Sequence, residues 1–377
     1  MEPPVFATRR ALLGSLAALP VVGAWPAMAF VRQTDAAAEA ALDAVFAEAA
    51  PPALAAGIVT REGLGWTGVR GVRRAGADDP ATLDDRWHLG SNTKAMTAAV
   101  FGRLVDQGRA RWAMPLAEAF TGTTVDPAWA GITLDDLMHH RAGLLDAGLI
   151  DQSWLIAAHS DQRPLPEQRA AFAARALGAP PRGPVGQFAY GNGNYIVLGA
   201  AIEALTGEAW EAVMQAGLFT PLGLASAGFG APRGDAPWGH QDGVGVDPAG
   251  LADNPPALGP AGTAHMNLAD YGRFVAAMMG GRPDWLSEAT RAQLLTPAAG
   301  SPPAYAAGWG VVTAPWGGVG GPGPAFTHSG SNTLWFATVQ AAPERGIGFI
   351  TLSNDGTAGQ RACTTLIRRL AEVHATA

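Results

Sequence analysis

Strand-like blocks stand at both ends of this chain with a long helical stretch between them, and that layout admits few folds. Near the start, Gly57-Ile58-Val59-Thr60 and Gly65-Trp66-Thr67-Gly68-Val69 flank the turn Arg61-Glu62-Gly63, which predicts a β-hairpin. Near the end, segments 305–313, 334–341 and 348–353 are rich in aromatic and β-branched residues, with 317–324 and 342–346 read as connections. Between about 93 and 296 the pattern is mostly helical, broken by Pro/Gly loops at 178–186 and 228–262. An alanine-rich helix over 36–49 precedes the first strands, and a helix over 358–374 closes the chain. Strands from the two termini must then build one sheet with a helical lobe inserted between them, which gives an α+β fold of two lobes. The sheet is expected from about 50–90 and 300–377, the helical lobe from about 92–298, and the site in the cleft between them.

Composition supports a large buried core. Charged residues make up 15% of the 377 positions, against roughly 25% in an average globular domain, while 48% are hydrophobic. A net charge of −7 offers no basic face to a phosphate backbone, so no nucleic-acid partner is expected. The single cysteine cannot staple a fold, and Cys363 shares a helical face with Leu366, Ile367 and Leu370, which reads as a small core residue. At the N-terminus, Thr8-Arg9-Arg10 precedes an apolar run to Ala29 that ends in Ala27-Met28-Ala29. Residues 1–29 therefore read as a twin-arginine signal peptide, with the mature domain over 30–377 periplasmic or secreted. Pro20 and Pro26 weaken the alternative of a membrane anchor, and no later apolar stretch is long enough for a span after signal removal.

Lysine usage narrows the chemistry. Of the 25 basic residues, all but Lys94 are arginine. Arginine stays protonated at any pH a protein meets, whereas a buried lysine can lose its proton and act as a base. Lys94 follows Ser91 by three residues in Gly90-Ser91-Asn92-Thr93-Lys94. From 92 to 107 the residues are apolar almost all round, which predicts a buried helix ending at Gly108 with Ser91 at its start. Three residues is close to one turn, so the Lys94 amine sits beside the Ser91 hydroxyl. The helix start also offers Ser91 a free backbone N–H and a positive dipole end, both suited to an oxyanion. The competing reading, a cap followed by a surface lysine, is weak because this helix has little polar face to solvate it, and burial lowers a lysine's pKa.

A serine–lysine pair needs a third group to relay the proton, and the chain has only four tyrosines. Tyr190, in the polar loop Phe188-Ala189-Tyr190-Gly191-Asn192-Gly193-Asn194-Tyr195, is the candidate, since a loop can aim an aromatic hydroxyl into a cleft. A third segment, His328-Ser329-Gly330-Ser331, is read as opening the strand over 334–341. Gly330 there lets the strand edge approach a ligand and leaves the Ser331 N–H to face that of Ser91. Other chemistries are weaker: no Gly-x-Ser-x-Gly elbow and no His-Glu-x-x-His occur, and His139-His140 read as helix-end polar residues. Gly191-x-Gly193 lacks a dinucleotide fingerprint, and 317–324 reads as a flexible hairpin loop. No metal or cofactor is expected. Among the twelve tryptophans, Trp309 and Trp335 are read as shaping an apolar acyl pocket.

Ser91-x-x-Lys94, Tyr190-x-Asn192 and His328-x-Gly330, in that order, resemble the serine β-lactamase and penicillin-binding-protein superfamily, in particular its class C-like branch of esterases and D-aminopeptidases. The stretches 132–144 and 218–224 look like segments of the same family, and the resemblance covers roughly 36–375. It implies an antiparallel sheet flanked by helices, with Ser91 as nucleophile, Lys94 as its base and Tyr190 passing the proton to the leaving group. It also implies that Asn192 holds the substrate's carbonyl side and that the N–H groups of Ser91 and Ser331 form an oxyanion hole. The chain departs from the β-lactamase pattern at His328, where those enzymes carry a lysine. The expected activity is therefore that of a serine hydrolase, esterase-like, on a small ester, amide or peptide. D-aminopeptidase, DD-peptidase, weak β-lactamase and a non-catalytic cell-wall or peptide binder are the alternatives. An ordinary histidine at 328 would gain charge toward pH 6 and favour carboxylate-bearing substrates there.

Overall fold

The computed structural model describes residues 35–300 and 302–374, so the expected signal segment 1–29 lies outside the described residues. Asp35 opens the first helix, Ala36–Ala49, by accepting the Ala38 N–H at 2.9 Å. β1 (Ala53–Thr60) and β2 (Gly63–Gly71) form the expected hairpin, and β3 (Arg86–His88) leads into the site. The lobe that follows is built on the helices Thr93–Asp106, Leu165–Leu177 and Asn192–Thr206. Short strands cross it: β4 (Gly228–Phe229), β5 (Gly239–Gln241), β6 (Val244–Val246) and β7 (Ala264–Asn267). The chain then returns through β8 (Gly310–Gly318), β9 (Gly321–Ser331), β10 (Phe336–Ala342) and β11 (Ile347–Ser353) to the closing helix, Ala358–His374.

Among the described residues the main sheet runs β2-β1-β11-β10-β9-β8 and is antiparallel throughout. The two termini meet where Leu54 of β1 pairs with Ser353 of β11, which gives the expected α+β class with a helical lobe inserted into a sheet. Alternate residues of β1 serve two cores, because successive strand side chains point to opposite faces. Leu54, Ala56 and Ile58 pack with Leu42, Val45 and Leu366 beneath the first and last helices. Ala53, Ala55 and Val59 face the larger core shared with the lobe. Cys363 is fully buried in the outer core, and burial pushes its thiol up to about 12, so it stays an inert, protonated packing group.

Several details differ from the sequence expectation. The strand expected over 305–313 begins at Gly310, and 317–324 makes the expected hairpin connection as a tight turn between paired strands, without the flexible loop. Its glycines serve close backbone approach: a Cβ on Gly323 would lie 2.4 Å from the Gly318 nitrogen. The segment His328 to Ser331 ends β9 and does not open β10; the chain turns between them, with Thr333 at φ 75°. Trp309 and Trp335 do not line an acyl pocket, because both are fully buried. Trp309 packs on Phe274 and Phe326, and Trp335 packs with Leu334 and Ala252. Among the described residues no helix is long and apolar enough to cross a membrane.

Candidate active site

β3 pairs with β7, with His88 opposite His265, and the Leu89 N–H donates to the Ala264 carbonyl at 2.9 Å. The chain then turns at Gly90, whose φ of 52° is left-handed, into the short turn Gly90–Asn92 and the helix Thr93–Asp106. A Cβ on Gly90 would lie 2.3 Å from the Ser331 nitrogen, and one on Gly330 would lie 2.1 Å from the Leu89 oxygen and 2.6 Å from the Ser91 nitrogen. Only glycine at both positions lets the turn press against the end of β9, and that contact sets Ser91 between sheet and lobe.

Lys94 is fully buried one helical turn further on. Its Nζ lies 3.0 Å from Ser91 Oγ, 2.8 Å from Asn192 Oδ1 and 2.8 Å from the Ala261 carbonyl oxygen. The amide and carbonyl oxygens only accept hydrogen bonds, so they take two N–H groups of the amine. In a neutral amine the lone pair then faces the Ser91 hydroxyl. Burial lowers the pKa of Lys94 from 10.5 to about 7, with the Asp146 carboxylate opposing the shift.

Tyr190 has 46% of its surface exposed, but its hydroxyl end turns inward to the Ser91 side chain. Burial pushes the phenol up to about 12, and the Ser91 hydrogen bond opposes this, so the group is protonated at neutral pH and suited to passing a proton on. The polar loop predicted over 188–195 ends at Gly191, because Asn192 begins the helix Asn192–Thr206. The reason lies outside the loop: Asp146 accepts the N–H groups of Asn192 and Gly193, both at 2.8 Å, and caps the helix with an anion. With its Oδ1 committed to Lys94, Asn192 has its amide nitrogen to offer a substrate carbonyl.

His328 is buried, and its Nε2 lies 3.1 Å from the Tyr305 hydroxyl. Burial first, and the nearby Lys94 second, lower its pKa to about 3. This corrects the pH expectation: His328 does not gain charge near pH 6, because water cannot solvate the imidazolium there. His140 does lie just past the end of the helix Leu134–Met138, but it is buried in the site. It is 1% exposed, and its ring centroid lies 4.5 Å from that of Tyr190, 5.0 Å from Tyr305 and 5.4 Å from Tyr195. Two buried histidines and three of the four tyrosines thus form one uncharged block around Lys94, against which the Tyr190 ring rests. Asp146, His140 and Tyr305 are the site neighbours that sequence reasoning missed. Tyrosine scarcity would have flagged Tyr305, but no local signal marks the other two. Among the described residues no group of three or more His, Cys, Asp and Glu side chains is placed to hold a metal ion.

The beta-lactamase family model matches residues 37–372. Penicillin-binding protein 4 of Amycolatopsis lactamdurans is 30% identical over 311 residues, which cover 76% of this chain and 77% of that one. An unguisins hydrolase of Aspergillus campestris is 27% identical over 314 residues, which cover 77% of this chain and 56% of that protein. A D-stereospecific amidohydrolase from Streptomyces shares the fold at a TM-score of 0.70 and 22% identity, over 92% of this chain and 100% of that one.

Proposed function

Since the chain belongs to the beta-lactamase family, we propose that it is a serine hydrolase forming an acyl-Ser91 intermediate on small, uncharged esters. The observation that carries this reading is the buried Lys94 amine, 3.0 Å from Ser91 Oγ and shifted to about 7, in a chain with no other lysine. Ser91 Oγ attacks the carbonyl carbon as its proton passes to Lys94, and the carbonyl electron pair moves to an oxyanion held by the Ser91 and Ser331 N–H groups. Collapse breaks the bond to the leaving group, which takes a proton from Lys94 through the Tyr190 hydroxyl. Water then repeats the sequence on the acyl-enzyme, releasing the acid and restoring Ser91.

Selectivity follows from His328. A substrate carboxylate entering the cleft meets a neutral imidazole in place of an ammonium, and desolvating an unpaired carboxylate costs several kcal/mol. A second reading, hydrolysis of amides or peptides, is favoured by the structural relative named as a D-stereospecific amidohydrolase. A substrate panel on the purified protein decides between these readings. We expect p-nitrophenyl esters of short acyl chains to exceed a chromogenic cephalosporin in kcat/KM by more than tenfold, with a ratio unchanged between pH 6 and 8. D-amino-acid amides that outrun the esters would establish the second reading. A cephalosporin at or above the best ester would overturn the preference for neutral substrates.

A further inference from the structure

His88 is 1% exposed, and both of its ring nitrogens face groups beside the reacting serine. Nδ1 accepts the Gly90 N–H at 3.1 Å. An accepting Nδ1 assigns the ring proton to Nε2, which lies 2.8 Å from Asp253 Oδ1, close but short of ideal hydrogen-bond alignment. The same carboxylate oxygen accepts from Asn332 Nδ2 at 2.9 Å. Asn332 follows Ser331, and its own Oδ1 receives the Leu334 and Trp335 N–H groups at 3.2 Å, which ties it into the turn beyond β9. One oxygen of one loop residue therefore holds both backbone pieces around the reacting serine: the turn before Ser91 through His88, and the strand end at Ser331 through Asn332.

We infer that Asp253 is a positioning residue that, through His88 and Asn332, sets the spacing between the Ser91 and Ser331 N–H groups. The inference rests on the reading of those two groups as the oxyanion hole. The pair is not a proton relay to Ser91, because the Nδ1 lone pair is already taken by the Gly90 N–H. Its effect is geometric: an oxyanion donor displaced by about 1 Å costs up to a hundredfold in rate without a matching loss of substrate binding.

The test compares Asp253→Ala with Asp253→Asn, whose amide oxygen can still accept from both partners. For Asp253→Ala we expect kcat to fall ten- to a hundredfold at nearly constant KM. The rate at which a fluorophosphonate probe modifies Ser91, a step that passes through the same oxyanion geometry, should fall by a similar factor while the final labelling stays at one per chain. Asp253→Asn should recover most of both rates. Asn332→Ala, which removes the strand arm together with the turn's hydrogen bonds to Leu334 and Trp335 and leaves His88 on Asp253, should lower kcat by at least as much if the alanine variant at 253 does not fold. Wild-type rates in the alanine variants, or equal losses in Asp253→Ala and Asp253→Asn, overturn the inference. Failure of the probe to label Ser91 in the unmodified protein would instead remove the reading beneath it.

Discussion

Ser91→Ala is expected to abolish turnover and labelling by an active-site serine probe, and Lys94→Arg to lower kcat by at least about a hundredfold, the scale set by loss of a general base. Arginine keeps the positive charge but stays protonated, so it cannot take the Ser91 proton. The two N–H acceptors of Lys94, Asn192 Oδ1 and the Ala261 oxygen, remain in place to receive the guanidinium. Tyr190 cannot stand in as base: with a phenol near 12, only about one molecule in a hundred thousand carries the phenolate at neutral pH. The two substitutions should also fail to add, since residues that act as one unit lose most of the rate when either is removed. Steady-state kinetics on one ester for both single variants and the double variant provide the check. Near-wild-type activity in Lys94→Arg would reduce Lys94 to a structural role, and labelling that survives Ser91→Ala would place the nucleophile elsewhere.

Lys94→Met is expected to raise the melting temperature by a few degrees at pH 6 while abolishing activity. Lys94 has a pKa of 10.5 when solvated and about 7 in the folded protein. Above 10.5 both states hold a neutral amine and burial carries no charge penalty. As pH falls toward 7 the unfolded chain binds a proton that the folded chain does not, so stability is lost across that window, by roughly 5 kcal/mol in all. A buried thioether avoids the penalty, although it takes the amine donor from the part-buried Asn192 Oδ1 and leaves the buried Ala261 oxygen unpaired, the latter at a cost of about 1–3 kcal/mol. The net gain should therefore be present at pH 6 and should shrink or reverse by pH 10. Thermal melts at the two pH values read this directly. A variant less stable than wild type at both would show that the amine is not held against a desolvation cost.

The parts of this site that could be read in the sequence are those whose geometry is local. Ser91 and Lys94 are joined by one helical turn, and the lysine stands out because every other basic residue is arginine. The sheet was legible because β1, β2, β10 and β11 carry apolar, β-branched runs bounded by turn residues. Glycine misled where it served close packing: the 317–324 segment resembles a loop in composition but is paired strand and tight turn. Asp146, His140 and Asp253 carry no such mark, since their partners lie tens to hundreds of residues away and are brought close only by the fold. Burial was the other hidden quantity. The absence of a lysine at 328 could be read from the chain, but not the enclosure that keeps His328 neutral and removes the pH dependence an ordinary histidine would confer.

The central claim is that Lys94 is a neutral amine poised beside Ser91, and the chain itself makes this measurable, because it contains a single lysine. Protein grown with lysine labelled by carbon-13 at the ε position gives one side-chain signal, whose chemical shift follows the ionisation of that one amine. The account predicts a titration midpoint near 7, well below the ordinary 10.5, and the same midpoint on the acid limb of kcat/KM for a neutral ester. A midpoint at or above 10 would mean that Lys94 is a permanent cation in the folded protein, and would contradict its assignment as the base.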